Sequence, residues 1–79
     1  MKSELRQRYK KFASLLVEAR KTAGLSQQEV ADKIGRSQAY VSKIERGARK
    51  MDIMEFLELA EALKFNPATL LRKLNQNKP

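Results

Sequence analysis

Apolar residues recur along this chain at steps of three and four, the period of a helix that buries one face. Leu5, Tyr9, Phe12, Leu16, Ala19 and Ala23 form one such stripe and predict a long first helix over about residues 3–23, stopped at Gly24. Val30, Ala31 and Ile34 predict a short second helix. Ser26 can cap it, Glu29 stands three residues on as in a capping box, and Gly35 ends it where a positive φ is needed. Val41 and Ile44 supply the inner face of a third helix over about residues 37–46, capped by Ser37 and closed by Gly47. Ile53, Phe56, Leu57, Ala60 and Leu63 predict a fourth helix, capped by Asp52, with all five side chains in the core and Phe65 tucked in behind. Asn66 before Pro67 starts a fifth helix, carrying Leu70, Leu71 and Leu74. The expected organisation is one all-α domain over residues 1–74 and a loose polar tail over 75–79.

The second and third helices are short and joined by a tight turn, so they must cross steeply. That is the geometry of a helix-turn-helix, whose second helix enters the DNA major groove. Counting Gln27 as one, small Ala31 stands at five, Gly35 at nine, Val41 at fifteen and Ile44 at eighteen. A small residue at five admits the second helix closely, and the apolar pair at fifteen and eighteen locks it down. A plain helical hairpin with no DNA partner has no need of all these features at fixed offsets. The run from Leu25 to Gly47, with its Leu-Ser-Gln-Gln-Glu-Val-Ala opening and Ile-Glu-Arg-Gly close, resembles the helix-turn-helix of the Cro/C1-type (xenobiotic-response-element-like) phage repressors and their bacterial relatives. A weaker likeness extends from about Phe12 to Leu74. The resemblance implies a compact five-helix bundle of the lambda-repressor-like DNA-binding type. It also implies a structural ion pair between Arg20 and Glu45 that holds the recognition helix at its angle, and a glutamine at Gln27 that meets a phosphate and braces the side chain at position 38.

Charge changes the picture further. The 79 residues carry 17 Lys and Arg against 9 Asp and Glu, a net charge of +8. Lys33, Arg36, Lys43, Arg46, Arg49 and Lys50 fall within residues 33–50 against Glu45 alone, whereas residues 51–63 hold Asp52, Glu55, Glu58 and Glu61 and no basic residue. The first stretch suits a polyanion and overlaps the third helix; the second would repel one. With Val41 and Ile44 turned inward, Gln38, Ala39, Ser42 and Lys43 are the base-reading candidates. A glutamine can pair with adenine N6 and N7, a lysine with guanine O6 and N7, and an alanine methyl can meet that of thymine. Arg46, Arg49 and Lys50 are phosphate candidates that add salt-dependent affinity and little sequence choice. Gln27, Gln28, Ser37 and Tyr40 complete the set as backbone or mixed contacts. Solvent is the alternative for Gln28, and packing on neighbouring surface the alternative for Tyr40. Lys2, Arg6, Arg8, Lys10 and Lys11 crowd the start of the first helix and oppose its dipole; phosphate contact and a solvated face both stay open for them, and they are left outside the site.

The chain has no cysteine and no histidine, which excludes disulfides, thiolate zinc sites and imidazole catalysis. Glu55, Glu58 and Glu61 are expected as an exposed row on one helix rather than as a carboxylate pair in a pocket. No catalytic residue, metal, cofactor or small-molecule effector is therefore expected. No apolar run approaches the ~18 residues of a membrane span, no signal-peptide core is present, and a cytoplasmic protein is expected. The expected function is sequence-specific binding of double-stranded DNA by a transcriptional regulator. One recognition helix covers few base pairs, so the expectation includes a homodimer on a palindromic operator with half-sites ~10 bp apart. Phe65, Leu71 and Leu74 are candidate dimer contacts, with closure of the core over Leu5 and Tyr9 as their alternative. An antitoxin-like or other protein-interaction module is the alternative function.

Overall fold

A computed structural model of the chain describes residues 2–76. It contains five helices: α1 (Ser3–Thr22), α2 (Gln27–Ile34), α3 (Gln38–Glu45), α4 (Ile53–Leu63) and α5 (Pro67–Asn75). The caps are those the local chemistry calls for. Ser26 and Glu29 form a reciprocal capping box on α2, and Ser37 accepts from the Tyr40 N–H at the start of α3. Asn66 accepts from the Thr69 N–H with Pro67 opening α5. Gly35 ends α2 at φ 68°, a left-handed conformation that a residue without Cβ adopts freely. Of the expected polar tail, Asn75 closes α5 and Gln76 caps it; residues 77–79 lie outside the described residues.

The core gathers the inner faces of all five helices. Leu16 of α1, Val30 and Ala31 of α2, Val41 and Ile44 of α3, Phe56, Leu59 and Leu63 of α4, and Leu70 of α5 are buried together. Ala31 is 0% exposed, consistent with the close approach that a small side chain allows between α2 and α3. Phe56 is the aromatic hinge of the bundle, with Phe12 at 5.5 Å and Phe65 at 5.7 Å between ring centroids.

The core differs from the expected list along α4. Ile53 is 61% exposed and Leu57 41%, whereas Leu59, absent from the expectation, is buried. Buried Glu55, Phe56, Leu59, Ala60 and Leu63 define a stripe that places Leu57 well around the helix and leaves Ile53 on the open first turn. The expected row of exposed glutamates is likewise broken, because Glu55 is buried. Leu5, in the first turn of α1, is 46% exposed. With Tyr9, Phe12, Ile53, Leu71 and Leu74 it lines an apolar groove of about 290 Å³. Leu71 is 43% exposed on that groove.

Lys64 caps α4 at φ 59°, the one described residue other than glycine with a positive φ. An L side chain there crowds its own carbonyl. Lys64→Gly should therefore raise stability by about 0.5–1 kcal/mol, the strain relieved exceeding the added freedom of the unfolded chain. Urea unfolding checks this; an unchanged or lower midpoint would contradict it.

Candidate nucleic-acid interface

Helix α3 has eight residues, too few to persist in water alone, so packing must hold both its position and its roll. Val41 and Ile44 fix its distance from the core. At about 100° per residue, Tyr40 and Glu45 stand roughly 70° to either side of the direction in which those two point. Each flank is held by a polar network centred on a carboxylate.

On one flank the carboxylate is Glu45. Arg20 Nε donates to its Oε2 at 2.6 Å and Arg20 Nη2 to its Oε1 at 3.1 Å, a bidentate fork. Arg20 Nη1 donates to the Leu25 carbonyl at 2.9 Å, tying the end of α1 to the loop before α2. The side chains are only 14% and 8% exposed. The hydrogen bond to Glu45 pushes the Arg20 guanidinium above its ordinary pKa against the opposing effect of burial. Gln27 Nε2 also donates to Glu45 Oε1 at 2.9 Å, and Gln38 Nε2 donates to Gln27 Oε1 at 2.7 Å. A continuous chain of bonds thus runs from α1 through Glu45 and Gln27 to the first residue of α3.

On the other flank the carboxylate is Glu55, in the first turn of α4. Its two oxygens accept from Arg49 Nη1 and Nη2 at 3.1 and 3.0 Å, from Arg36 Nη1 at 3.3 Å and from the Tyr40 hydroxyl at 3.0 Å. They also accept the Asp52 N–H at 3.0 Å, the return half of a capping box on α4. Both guanidiniums lie over the Tyr40 ring, at 4.7 Å for Arg36 and 4.6 Å for Arg49. The Arg49 guanidinium and the Asp52 N–H hold the Glu55 carboxyl down at about 2. Partial burial and the bond to Glu55 push the Tyr40 phenol up.

Between these flanks lies the outward strip of α3. Gln38, Ala39 and Lys43 are exposed and Ser42 is half-buried. Arg46, the C-cap of α3, and Lys50 are exposed beyond its end. The Ser37 hydroxyl is engaged as the cap. Gln28 lies on the exposed face of α2 and donates to Asp32 at 2.9 Å. The structure therefore brings Gln27 and Gln38 into the Glu45 network and Tyr40 and Arg49 into the Glu55 network; Gln28 stands apart from both, and Lys50 joins only through its carbonyl, which accepts from Arg49 Nη1 at 3.0 Å. Arg36 and Glu55 were not among the sequence candidates. Their signal was present as Asp52-x-x-Glu55, which repeats the Ser26-x-x-Glu29 capping pattern and directs the Glu55 carboxylate back toward the preceding loop. Among the described residues no cluster of acidic side chains is arranged to hold a metal, and no helix is long and apolar enough to cross a membrane.

A family model described as helix-turn-helix matches residues 16–70, more than half of the chain. An uncharacterized HTH-type transcriptional regulator of Sinorhizobium fredii, y4dJ, is 46% identical over 44 residues, a stretch spanning 56% of this chain and 57% of that protein. An XRE-family like protein from Pseudomonas syringae pv. tomato is similar in structure with a TM-score of 0.83 at 40% identity, covering 92% of this chain and 89% of that one. The restriction-modification controller protein C.AhdI from Aeromonas hydrophila superposes with a TM-score of 0.77 at 37% identity, over 82% of this chain and 94% of that one.

The depressed Glu55 carboxyl carries a pH signature. A carboxyl whose folded pKa lies below its unfolded value contributes stability that is complete above the unfolded value and is lost as pH falls through the folded one. Stability should thus decline as pH falls from about 4.5 toward about 2. Glu29, lowered by the Ser26 N–H, acts in the same direction. Glu55→Gln should flatten part of this decline in urea titrations run across that range; an identical acid limb in the variant would contradict the assignment.

Proposed function

The chain belongs to the Cro/C1-type helix-turn-helix family, and from that membership we propose that it is a cytoplasmic, non-enzymatic transcriptional regulator that binds double-stranded DNA at specific sites through α3. The observation that carries the proposal is the outward strip Gln38, Ala39, Ser42 and Lys43, on a helix whose roll is held from both flanks. Gln38 is the principal base reader. Its amide has two N–H groups and one oxygen. One N–H rests on Gln27 and sets the amide plane, and the other N–H and the oxygen suit adenine N7 and N6. Lys43 suits guanine, and Ala39 a thymine methyl. Arg46 and Lys50, with the N-terminal end of α2 at Gln27 and Gln28, follow the phosphates on either side.

The functional unit in this proposal is a homodimer on a palindromic site, since one recognition helix spans too few base pairs for tight selective binding. A second copy has apolar surface to meet: Ile53, Met54, Leu57 and Leu71 are all exposed, at 61%, 67%, 41% and 43%. Leu71 and Leu74 both line the groove beside this surface. Phe65 is taken up by its contact with Phe56 and contributes little to such a surface.

Selection from a random duplex library at ~150 mM salt, with the mass of the complex recorded, tests this reading. The expected result is a palindrome with half-sites ~10 bp apart bound by two chains; binding that selects no sequence and vanishes as salt rises would contradict it. On the selected duplex, Gln38→Ala should cost about 1–3 kcal/mol and relax one base position. Arg46→Ala should weaken selected and random duplexes alike and lower the salt slope by about one. Equal losses from Gln38→Ala on both duplexes would remove Gln38 from base reading.

A further inference from the structure

Glu55 lies outside the helix-turn-helix, yet its carboxylate meets donors from both ends of the recognition helix: Arg36 in the turn before it, Tyr40 within it and Arg49 in the loop after it. A capping box on α4 needs only the bond to the Asp52 N–H. The other partners exceed what helix capping requires, and all of them border the strip assigned to DNA. Resting on the DNA-binding reading above, we infer that Glu55 is a positioning residue for sequence choice. It holds Tyr40 and two guanidiniums in one arrangement beside α3, and it withholds one unit of positive charge from contacts that ignore sequence.

Two physical features carry this. The first is the geometry of the arginines. Arg49 presents both terminal nitrogens to the two oxygens of Glu55, so that edge of its planar fork is not open to a phosphate. Arg36 is turned toward α4 as well, with Nη2 at 3.5 Å from Glu58 as its second acidic partner. The second feature is charge. Arg36, Arg49 and Glu55 together amount to +1 rather than +2, with side-chain exposures of 36% and 37% for the arginines and 11% for the glutamate. Each cation free to neutralise a phosphate strengthens binding to every duplex equally and dilutes discrimination. Meanwhile the Tyr40 hydroxyl, fixed at 3.0 Å on Glu55, resists rotation of α3 about its own axis. Roll is the motion that would carry Gln38 and Lys43 away from the base edges they address.

Two variants separate charge from position, each measured by fluorescence anisotropy on the selected duplex and on a random duplex across a range of salt. Glu55→Gln keeps the side-chain length and an oxygen for the Asp52 N–H but removes the charge. It should bind random duplex severalfold more tightly, with a salt slope steeper by about one. Affinity for the selected duplex should not rise in proportion, so the ratio of the two affinities should fall about tenfold. Glu55→Asp keeps the charge but is one methylene too short to hold all its partners; its slope should match wild type while its ratio falls. Thermal unfolding by circular dichroism confirms that each variant is folded at the assay temperature. A Glu55→Gln protein in which both affinities change by one factor and the slope is unaltered would overturn the inference, and so would a Glu55→Asp protein with the wild-type ratio. A wild-type protein that selects no site overturns the DNA-binding reading itself, before either variant is compared.

Discussion

The buried pairing of Arg20 with Glu45 is the constraint on which the rest of the site depends. Apolar contacts set how close α3 lies to the core, but they are non-directional and leave its roll soft. Burying Val41 and Ile44 contributes about 1.5–3 kcal/mol each, enough to keep an eight-residue helix docked with that face inward but not to fix its roll to within a few tens of degrees. A bidentate guanidinium–carboxylate pair has one good geometry. Its net contribution to stability is small, because desolvation offsets the attraction, yet removing one partner leaves an uncompensated buried charge at a cost of about 3–5 kcal/mol. Such an interaction penalises alternatives more than it strengthens the fold. Here it ties the C-terminal end of α1 to the last residue of α3, and through Gln27 it reaches the first residue of the same helix.

The Glu55 network supplies the same kind of constraint on the opposite flank, and the two together explain a feature of the charge distribution. The protein is strongly basic, and residues 33–50, which include α3, carry six Lys and Arg against Glu45 alone. A polyanion would bind such a surface with little regard for sequence. Each carboxylate beside α3 is placed where it absorbs cations that would otherwise add to that indifferent attraction, and in doing so turns them into struts. Arg20 and Arg49 are better understood as parts of the scaffold than as free charges. Arg46 and Lys50 remain exposed.

Much of this was legible from the sequence because it rests on short-range chemistry. The helix limits follow from Ser26, Ser37, Asp52 and Asn66 as caps and from glycines where φ turns positive. The apolar offsets within Leu25–Gly47 placed α3 against α2 correctly. The Arg20–Glu45 pair, by contrast, joins residues 25 apart; no local pattern requires it, and it came from resemblance alone. The errors lie on α4. Ile53 and Leu57 satisfy a helical period as well as Leu59 does, and only the packing of α1 and α5 decides which stripe is covered. Glu55 was read as one of three similar surface glutamates. Its burial depends on Arg36, Tyr40 and Arg49 converging from segments up to 19 residues away, which periodicity cannot show. Lys64 adopts a left-handed cap where composition offers no glycine to announce one.

The central claim is that the polar brace positions the base-reading strip, and a double-mutant cycle tests it most directly. Operator affinity would be measured for the wild type, Gln38→Ala, Glu45→Gln and the double variant. Gln38 and Glu45 are linked through Gln27. If the brace sets the plane of the Gln38 amide, the two substitutions should be non-additive, with a coupling of about 0.5–3 kcal/mol and little further loss from Gln38→Ala once Glu45 is neutral. Effects that add to within about 0.3–0.5 kcal/mol would show that Gln38 reads DNA independently of the network and would contradict the account.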